Sequence, residues 1–172
     1  MTNIIHPLDS LSKEEIEKSI ALFKLDKNSD KNSVFSYITL EEPEKEFVKK
    51  FKSGDPFSRQ SRIVGIDSNS KGFEVLIDLT REKVISSISL PEEAGPTYTM
   101  TEILTAIQLT LENEQYQEAL KKRGITDLNL IQIDPWPGGG IVNKNIKKGH
   151  RALKTISFLK ENPSDNAYAK PV

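Results

Sequence analysis

The sequence contains no cysteine. That excludes a disulfide framework and any thiolate metal site, and it says little about compartment. Histidine is almost as scarce: there are two, His6 and His150. Tryptophan occurs once, at Trp136. No run approaches the roughly 18 consecutive apolar residues of a membrane-spanning helix, so no membrane association is expected. The N-terminal stretch through Glu15 has no basic segment followed by an apolar one. No signal peptide is therefore expected, and a cytoplasmic location is the default reading. Nor is there an excess of either charge: 24 Lys and Arg stand against 25 Asp and Glu, a net charge of −1. A balance so close to zero argues against nucleic acid as a partner.

What is present is ordinary for a folded protein. Of 172 residues, 36% are hydrophobic and 28% charged, too apolar and too balanced for a disordered chain. A single compact body of this size would remove roughly 70% of its unfolded surface from water. Divided in two, each half buries a smaller fraction. Two such domains are expected to lean on each other or on a third.

The pattern along the chain favours two units. Ser12-Lys13-Glu14-Glu15 fits a capping box, and Ile16, Ile20, Leu22 and Phe23 follow at helical spacing, so a helix is expected over 13–25. Val34 to Leu40 alternates around Phe35, Tyr37 and Thr39 and reads as a strand. Pro43 suits the first turn of a short helix through Phe47, Val48 and Phe51. Three more strands are expected, Arg62–Asp67, Phe73–Leu79 and Val84–Leu90, joined by the turns Ser68–Gly72 and Thr80–Lys83 as an antiparallel meander.

Pro91 to Pro96 is the best linker. Thr101 and Glu102 open a helix to about Asn113. A second helix, Glu114 to Arg123, stops at Gly124 as a left-handed cap. Leu130 to Asp134 reads as a short strand, broken by Pro135-Trp136-Pro137 and three glycines. From His150 to Lys160 the apolar spacing does not choose between strand and helix. The second unit again puts helix before strand, as a degenerate copy of the first would. The fold expected is α+β: two small domains, 1–96 and 97–172, each with helices packed on an antiparallel sheet.

Few residues offer chemistry of their own. His6-Pro7-Leu8-Asp9 could be a ligand pair, but it reads better as the segment leading into the first helix. Gly138-Gly139-Gly140 lacks the spacing and the following Lys of a phosphate loop, and reads as a connector. Lys144, Lys147, Lys148, His150, Arg151 and Lys154 form a basic run, read as a solvated face or a contact with an acidic domain. Glu14, Glu15, Glu17 and Glu41, Glu42, Glu44 are acidic clusters that helix dipole and solvation explain better than acid–base work. No serine sits in a nucleophile elbow. Trp136, between prolines and glycines, is either a core anchor or an exposed ring at a mouth.

Four segments in order give the chain a resemblance. They are His6-Pro7-Leu8-Asp9 with Ser12, Glu15 and Ile16; Phe73 to Thr80 with Val84 and Ser86; Arg123-Gly124-Ile125 with Asp134-Pro135-Trp136; and Asp165-Asn166-Ala167-Tyr168-Ala169-Lys170-Pro171. Together they resemble the second and third N-terminal, non-catalytic domains of copper-containing primary amine oxidases. The last segment resembles the junction that leads there into the catalytic domain.

The resemblance implies a cystatin-like shape for both domains. It implies a parent enzyme that oxidises primary amines to aldehydes, using copper held by three histidines and a topaquinone made from the Tyr of Asn-Tyr-Asp/Glu. It also implies a homodimer, the enzyme's own catalytic domain as partner, and a place for Pro135, Trp136 and Tyr168 near the amine entrance channel.

Within this chain neither cofactor is expected. There are two histidines, and the four tyrosines follow Ser36, Thr97, Gln115 and Ala167 rather than Asn. Two imidazoles without other ligands do not make a redox-useful copper site. No catalytic residue is therefore assigned. The alternative reading is a stand-alone cystatin-like binding module or protease inhibitor. Against inhibition, Gln60-Ser61-Arg62-Ile63-Val64-Gly65 is one residue longer than the inhibitors' Gln-x-Val-x-Gly.

Overall fold

The computed structural model describes residues 4–91, 94–138, 146, 151–162 and 164–172. Glu92 and Glu93 of the linker, Gly139 and Gly140, and Lys144, Lys147, Lys148 and His150 of the basic run lie outside the described residues. The chain divides into two compact units, 1–97 and 98–172.

In the first unit the order is α1 (Lys13–Leu25), β1 (Val34–Glu41), α2 (Lys45–Lys50), β2 (Gln60–Ile66), β3 (Gly72–Asp78) and β4 (Lys83–Ser89). The expected helix, inserted helix and strands are all present, with ends that differ by one or two residues. The sheet runs β1-β2-β3-β4, every neighbour antiparallel. α1 begins at the expected capping box: the Glu15 N–H donates to Ser12 Oγ at 3.2 Å, and the Ser12 N–H to Glu15 Oε2 at 2.9 Å.

α1 lies on one sheet face, where Phe23, Ile63, Val75, Ile77 and Leu79 form the buried core. The Phe23 ring stacks on Phe73 at 5.4 Å and meets Phe35 edge-on at 5.1 Å. A bulge between Phe35 and Tyr37 makes this possible. With strict alternation Phe35 and Ile38 would point to opposite faces; one extra residue brings both onto the core. Gly65 completes the fit, since a Cβ there would stand 2.4 Å from the Val34 carbonyl oxygen. Where helix and sheet come closest, two small polar residues replace bulk. The Ser19 and Ser61 hydroxyls are 2.6 Å apart, both fully buried, and Ser19 Oγ also donates to the Glu15 carbonyl.

The second unit holds α3 (Met100–Glu112), α4 (Glu114–Lys122), β5 (Ile131–Pro137) and β6 (Leu153–Leu159), with single 3-10 turns at Leu128–Leu130 and Ala167–Ala169. Thr99 and Glu102 form a second capping box, at the start of α3. α4 ends as expected at Gly124, whose φ of 78° is left-handed. The segment of undecided period is the strand β6. Its residues are partly buried on both faces, which hides the alternation that marks a strand. Among the described residues this sheet has two antiparallel strands, not the four of the first unit.

The sequence expectation that Pro135 ends its strand is corrected. β5 continues through Pro137 in unbroken register with β6. Lys160 N–H donates to the Leu130 carbonyl and Gly138 N–H to the Ala152 carbonyl. The even-numbered residues of β5 thus bond to β6, and the odd-numbered ones point their N–H groups outward. Pro135 and Pro137 are odd, so their missing N–H groups cost the ladder nothing. The resulting architecture is α+β in both units.

Candidate functional site

The candidate residues lie on β5 and on the C-terminal segment. Side chains alternate along a strand, so Gln132, Asp134 and Trp136 share one face of the β5–β6 sheet with Lys154, Ile156 and Phe158. The other face carries buried Ile133 and half-buried Ser157. Helix α3 packs against both strands, and α4 reaches the sheet through Tyr116, whose hydroxyl stands 2.6 Å from Ser157 Oγ.

The C-terminal segment folds back over the first of these faces. Asp165 Oδ2 accepts from the N–H groups of Glu161 and Asn162 at 3.0 and 2.8 Å. Asn166 Oδ1 accepts from the Tyr168 N–H at 3.2 Å, and Ala167 is buried. Leu159 N–H then donates to the Lys170 carbonyl and Val172 N–H to Ser157, both at 2.9 Å, so the tail is laced to the outer edge of β6. Lys170 forms an ion pair with Glu161. Each residue of the Asp-Asn-x-Tyr motif thus has a local job, and the outcome is a fixed Tyr168. Its ring meets Phe158 edge-on at 5.0 Å.

Trp136 and Tyr168 therefore lie on one face, and both are open, at 55% and 59% exposure. Pro135 falls on the opposite face. Between the two aromatic positions is Asp134, which sequence reasoning passed over. Its Oδ1 accepts from Gln132 Nε2 at 3.1 Å. The neighbouring Asp134 carboxylate pushes the Tyr168 phenol's pKa up. The signal was available in the alternation of Gln132, Asp134 and Trp136. It was lost once the strand was taken to end at Pro135.

Arg151, read from sequence as part of a solvated basic run, is instead a structural clasp. Its Nε and Nη2 donate to Glu102 Oε1 and Oε2 at 2.8 and 2.9 Å, and its guanidinium lies 4.3 Å from the Tyr98 ring centroid. Glu102 is held below the usual carboxylate range, first by Arg151, against an opposing push from burial. In the first unit, Arg59 clasps Glu15 at 2.8 and 3.0 Å and also donates to the Pro7 and Ser10 carbonyls. There burial acts most strongly, to raise Glu15, but the Arg59 and Ser12 hydrogen bonds outweigh it and hold the group down. Arg62 pairs with Glu41 and Glu74, so one member of the second acidic cluster is neutralised. The first unit also has an open cleft of about 660 Å³ whose lining includes Glu42, Glu44, Phe47 and Phe57 but no histidine, lysine or arginine.

Comparison with known proteins settles the family. Residues 6–90 match the copper amine oxidase N2 domain and residues 101–172 the copper amine oxidase N3 domain. The chain belongs to the copper amine oxidase N2 and N3 domain families. Across its whole length this N2–N3 pair is 28% identical to a primary amine oxidase of Arthrobacter sp. (strain P1), of which it covers 26%. It is 29% identical to the primary amine oxidase of Klebsiella aerogenes, over 97% of this chain and 22% of that one. In three dimensions 98% of the chain matches 27% of a copper-containing benzylamine oxidase from Hansenula polymorpha, with a TM-score of 0.75 at 17% identity. The chain thus spans about a quarter of the length of these relatives.

The donor set of the N2–N3 pair does not fit a three-histidine copper site. His6 is committed to a turn: its Nδ1 accepts from the Leu8 N–H at 3.1 Å and its ring meets Phe51 edge-on at 5.1 Å. Asp9 closes that turn by accepting from the Ile5 and His6 N–H groups, both at 2.9 Å. The segment leads into α1 as expected, and Ser12 caps the helix. His150 lies outside the described residues. Among the described residues no three His, Cys, Asp or Glu side chains are grouped to hold a metal. No described helix is long and apolar enough to cross a membrane.

Proposed function

We propose that the chain is the non-catalytic N-terminal region of a copper- and topaquinone-dependent primary amine oxidase. In this reading its cystatin-like domains, 1–96 and 97–172, pack on the catalytic domain of the same enzyme, which works as a homodimer. The N3 face bearing Trp136 and Tyr168 contributes to the amine entrance, and Pro135 stiffens the strand beneath the Trp136 ring. The copper ligands and the cofactor tyrosine are supplied by the catalytic domain.

One observation carries the reading: the N2 and N3 matches follow each other in order and fill the chain. Two large rings left open on one rigid face add support, since an exposed apolar patch usually marks a binding surface. The inhibitor reading gains no comparable support. Gln60 to Gly65 lies within β2, paired on both edges, and is not free to engage a partner.

The test is kinetic. In the enzyme that contains this chain, Trp136→Ala is expected to change KM for bulky arylalkylamines more than kcat, because ring contacts act in binding. An unchanged KM for every amine would remove the entrance role. The 172-residue chain alone is expected to release no peroxide from benzylamine, phenethylamine or tyramine.

A further inference from the structure

We infer that Asp134 is an ammonium-recognition residue, and that with Trp136 and Tyr168 it forms a surface site for protonated arylalkylamines. This rests on the reading of the same face as part of the amine entrance, and it names the group that would recognise the charge.

The argument starts from the company Asp134 keeps. It is half-buried on β5, accepts a hydrogen bond from the Gln132 amide at 3.1 Å, and neighbours the Tyr168 phenol, whose pKa it pushes up. That donor is neutral. Among the described residues no lysine or arginine forms an ion pair with it, unlike Glu15, Glu41, Glu74 and Glu102. Lys154, the nearest basic residue in register, sits opposite Trp136, and no ion pair joins it to Asp134. Among the described residues the carboxylate is therefore held by a neutral donor and no cation. An ionised carboxylate has about four acceptor positions, so one neutral amide donor leaves room for further N–H groups.

Its surroundings define what that donor carries. Trp136 follows two residues along the same face, roughly 7 Å away at strand rise. Tyr168 stands on the other side, braced by Phe158. A carboxylate between open aromatic rings suits a ligand with a cationic head and an apolar tail. The –NH3⁺ group would bond to Asp134 and gain from the ring faces, and the aryl tail would lie on the Trp136 indole. A neutral alcohol of the same shape keeps the ring contact and loses the charge. Nothing covalent is involved; the site selects and orients.

The experiment uses the 172-residue chain with phenethylammonium and its neutral counterpart 2-phenylethanol. Binding is read from Trp136 fluorescence and from backbone amide shifts. The ammonium is expected to bind about ten-fold more tightly than the alcohol, the scale of one charge-assisted hydrogen bond. Asp134→Asn keeps the shape and two acceptor positions; it is expected to erase that preference and leave the alcohol's affinity alone. Equal affinities in the unmodified chain, or a preference that survives Asp134→Asn, would overturn the role of Asp134 but leave the entrance reading standing. No response of Trp136 or Tyr168 to either probe would overturn both.

Discussion

The two units solve the same local problem at different depths. Each begins its helical part with a capping box, Ser12/Glu15 in one and Thr99/Glu102 in the other. In each, the capping glutamate is gripped by both arms of an arginine that stands just before a strand, Arg59 before β2 and Arg151 before β6. The first clasp is nearly closed off, its side chains 9% and 15% exposed; the second is looser, at 15% and 27%. The cores differ in the same sense. Five large apolar residues of the first unit form one buried cluster. In the second, Leu120, Ile133 and Ala167 are buried while Trp136 and Tyr168 stay open. Among the described residues the two most exposed aromatic rings belong to the second unit. The difference teaches that the same glutamate clasp holds beside a closed core and beside a more open one.

That contrast makes ordered predictions. Phe23→Ala, in the closed core, is expected to cost about 3–5 kcal/mol, measured by urea unfolding followed by circular dichroism. A loss below about 1 kcal/mol would mean the first unit is not held by that cluster. Next comes Arg59→Ala. It strands Glu15 in a nearly dry site and is expected to cost about 3 kcal/mol. Arg151→Ala should cost less, about 1–2 kcal/mol, because its partner keeps more water. Trp136 is the only tryptophan, so its fluorescence reports the second unit alone and separates the two effects. Equal losses at the two arginines would break the comparison.

Acid gives a further reading of the same pair. Both glutamates titrate below their ordinary value of about 4.5 in the folded chain. Their clasps therefore stabilise fully above that pH, and the contribution is lost as pH falls through the lowered folded values. Stability measured from pH 6 downward is expected to decline below about pH 4.5, and Glu15→Gln should flatten that limb. A steeper decline in the variant would reverse the sign assigned here. The smallest effect belongs to Trp136→Ala. A ring more than half exposed contributes little to folding, so a change within about 0.5 kcal/mol is expected in the isolated chain. A loss of 2 kcal/mol or more would place the ring in the core and close the open face.

Much of this was legible in the residues. The capping box at Ser12, the four-strand meander and the left-handed stop at Gly124 all follow from local rules, and local rules sufficed. The clasps were not legible, because Glu15 and Arg59 are 44 residues apart in sequence. Composition shows an acidic cluster there, and only the fold shows its partner. Arg151 was misread for the same reason: a basic run suggests solvent, and one member was taken by Glu102. The break assigned at Pro135 was an error of another kind. Proline was treated as ending any strand, although in an edge strand only the direction of the absent N–H matters.

That direction has a wider consequence. Among the described residues β5 has no strand on its outer edge, and an open edge beside two open aromatic rings is the arrangement from which chains stack on one another into fibrils. Along the outward edge of β5 the two positions that flank Trp136 offer no donor, so an incoming strand would find no partner N–H on either side of the ring. The prolines thus leave an open aromatic ring on the strand while denying a second polypeptide the ladder it would need to stay.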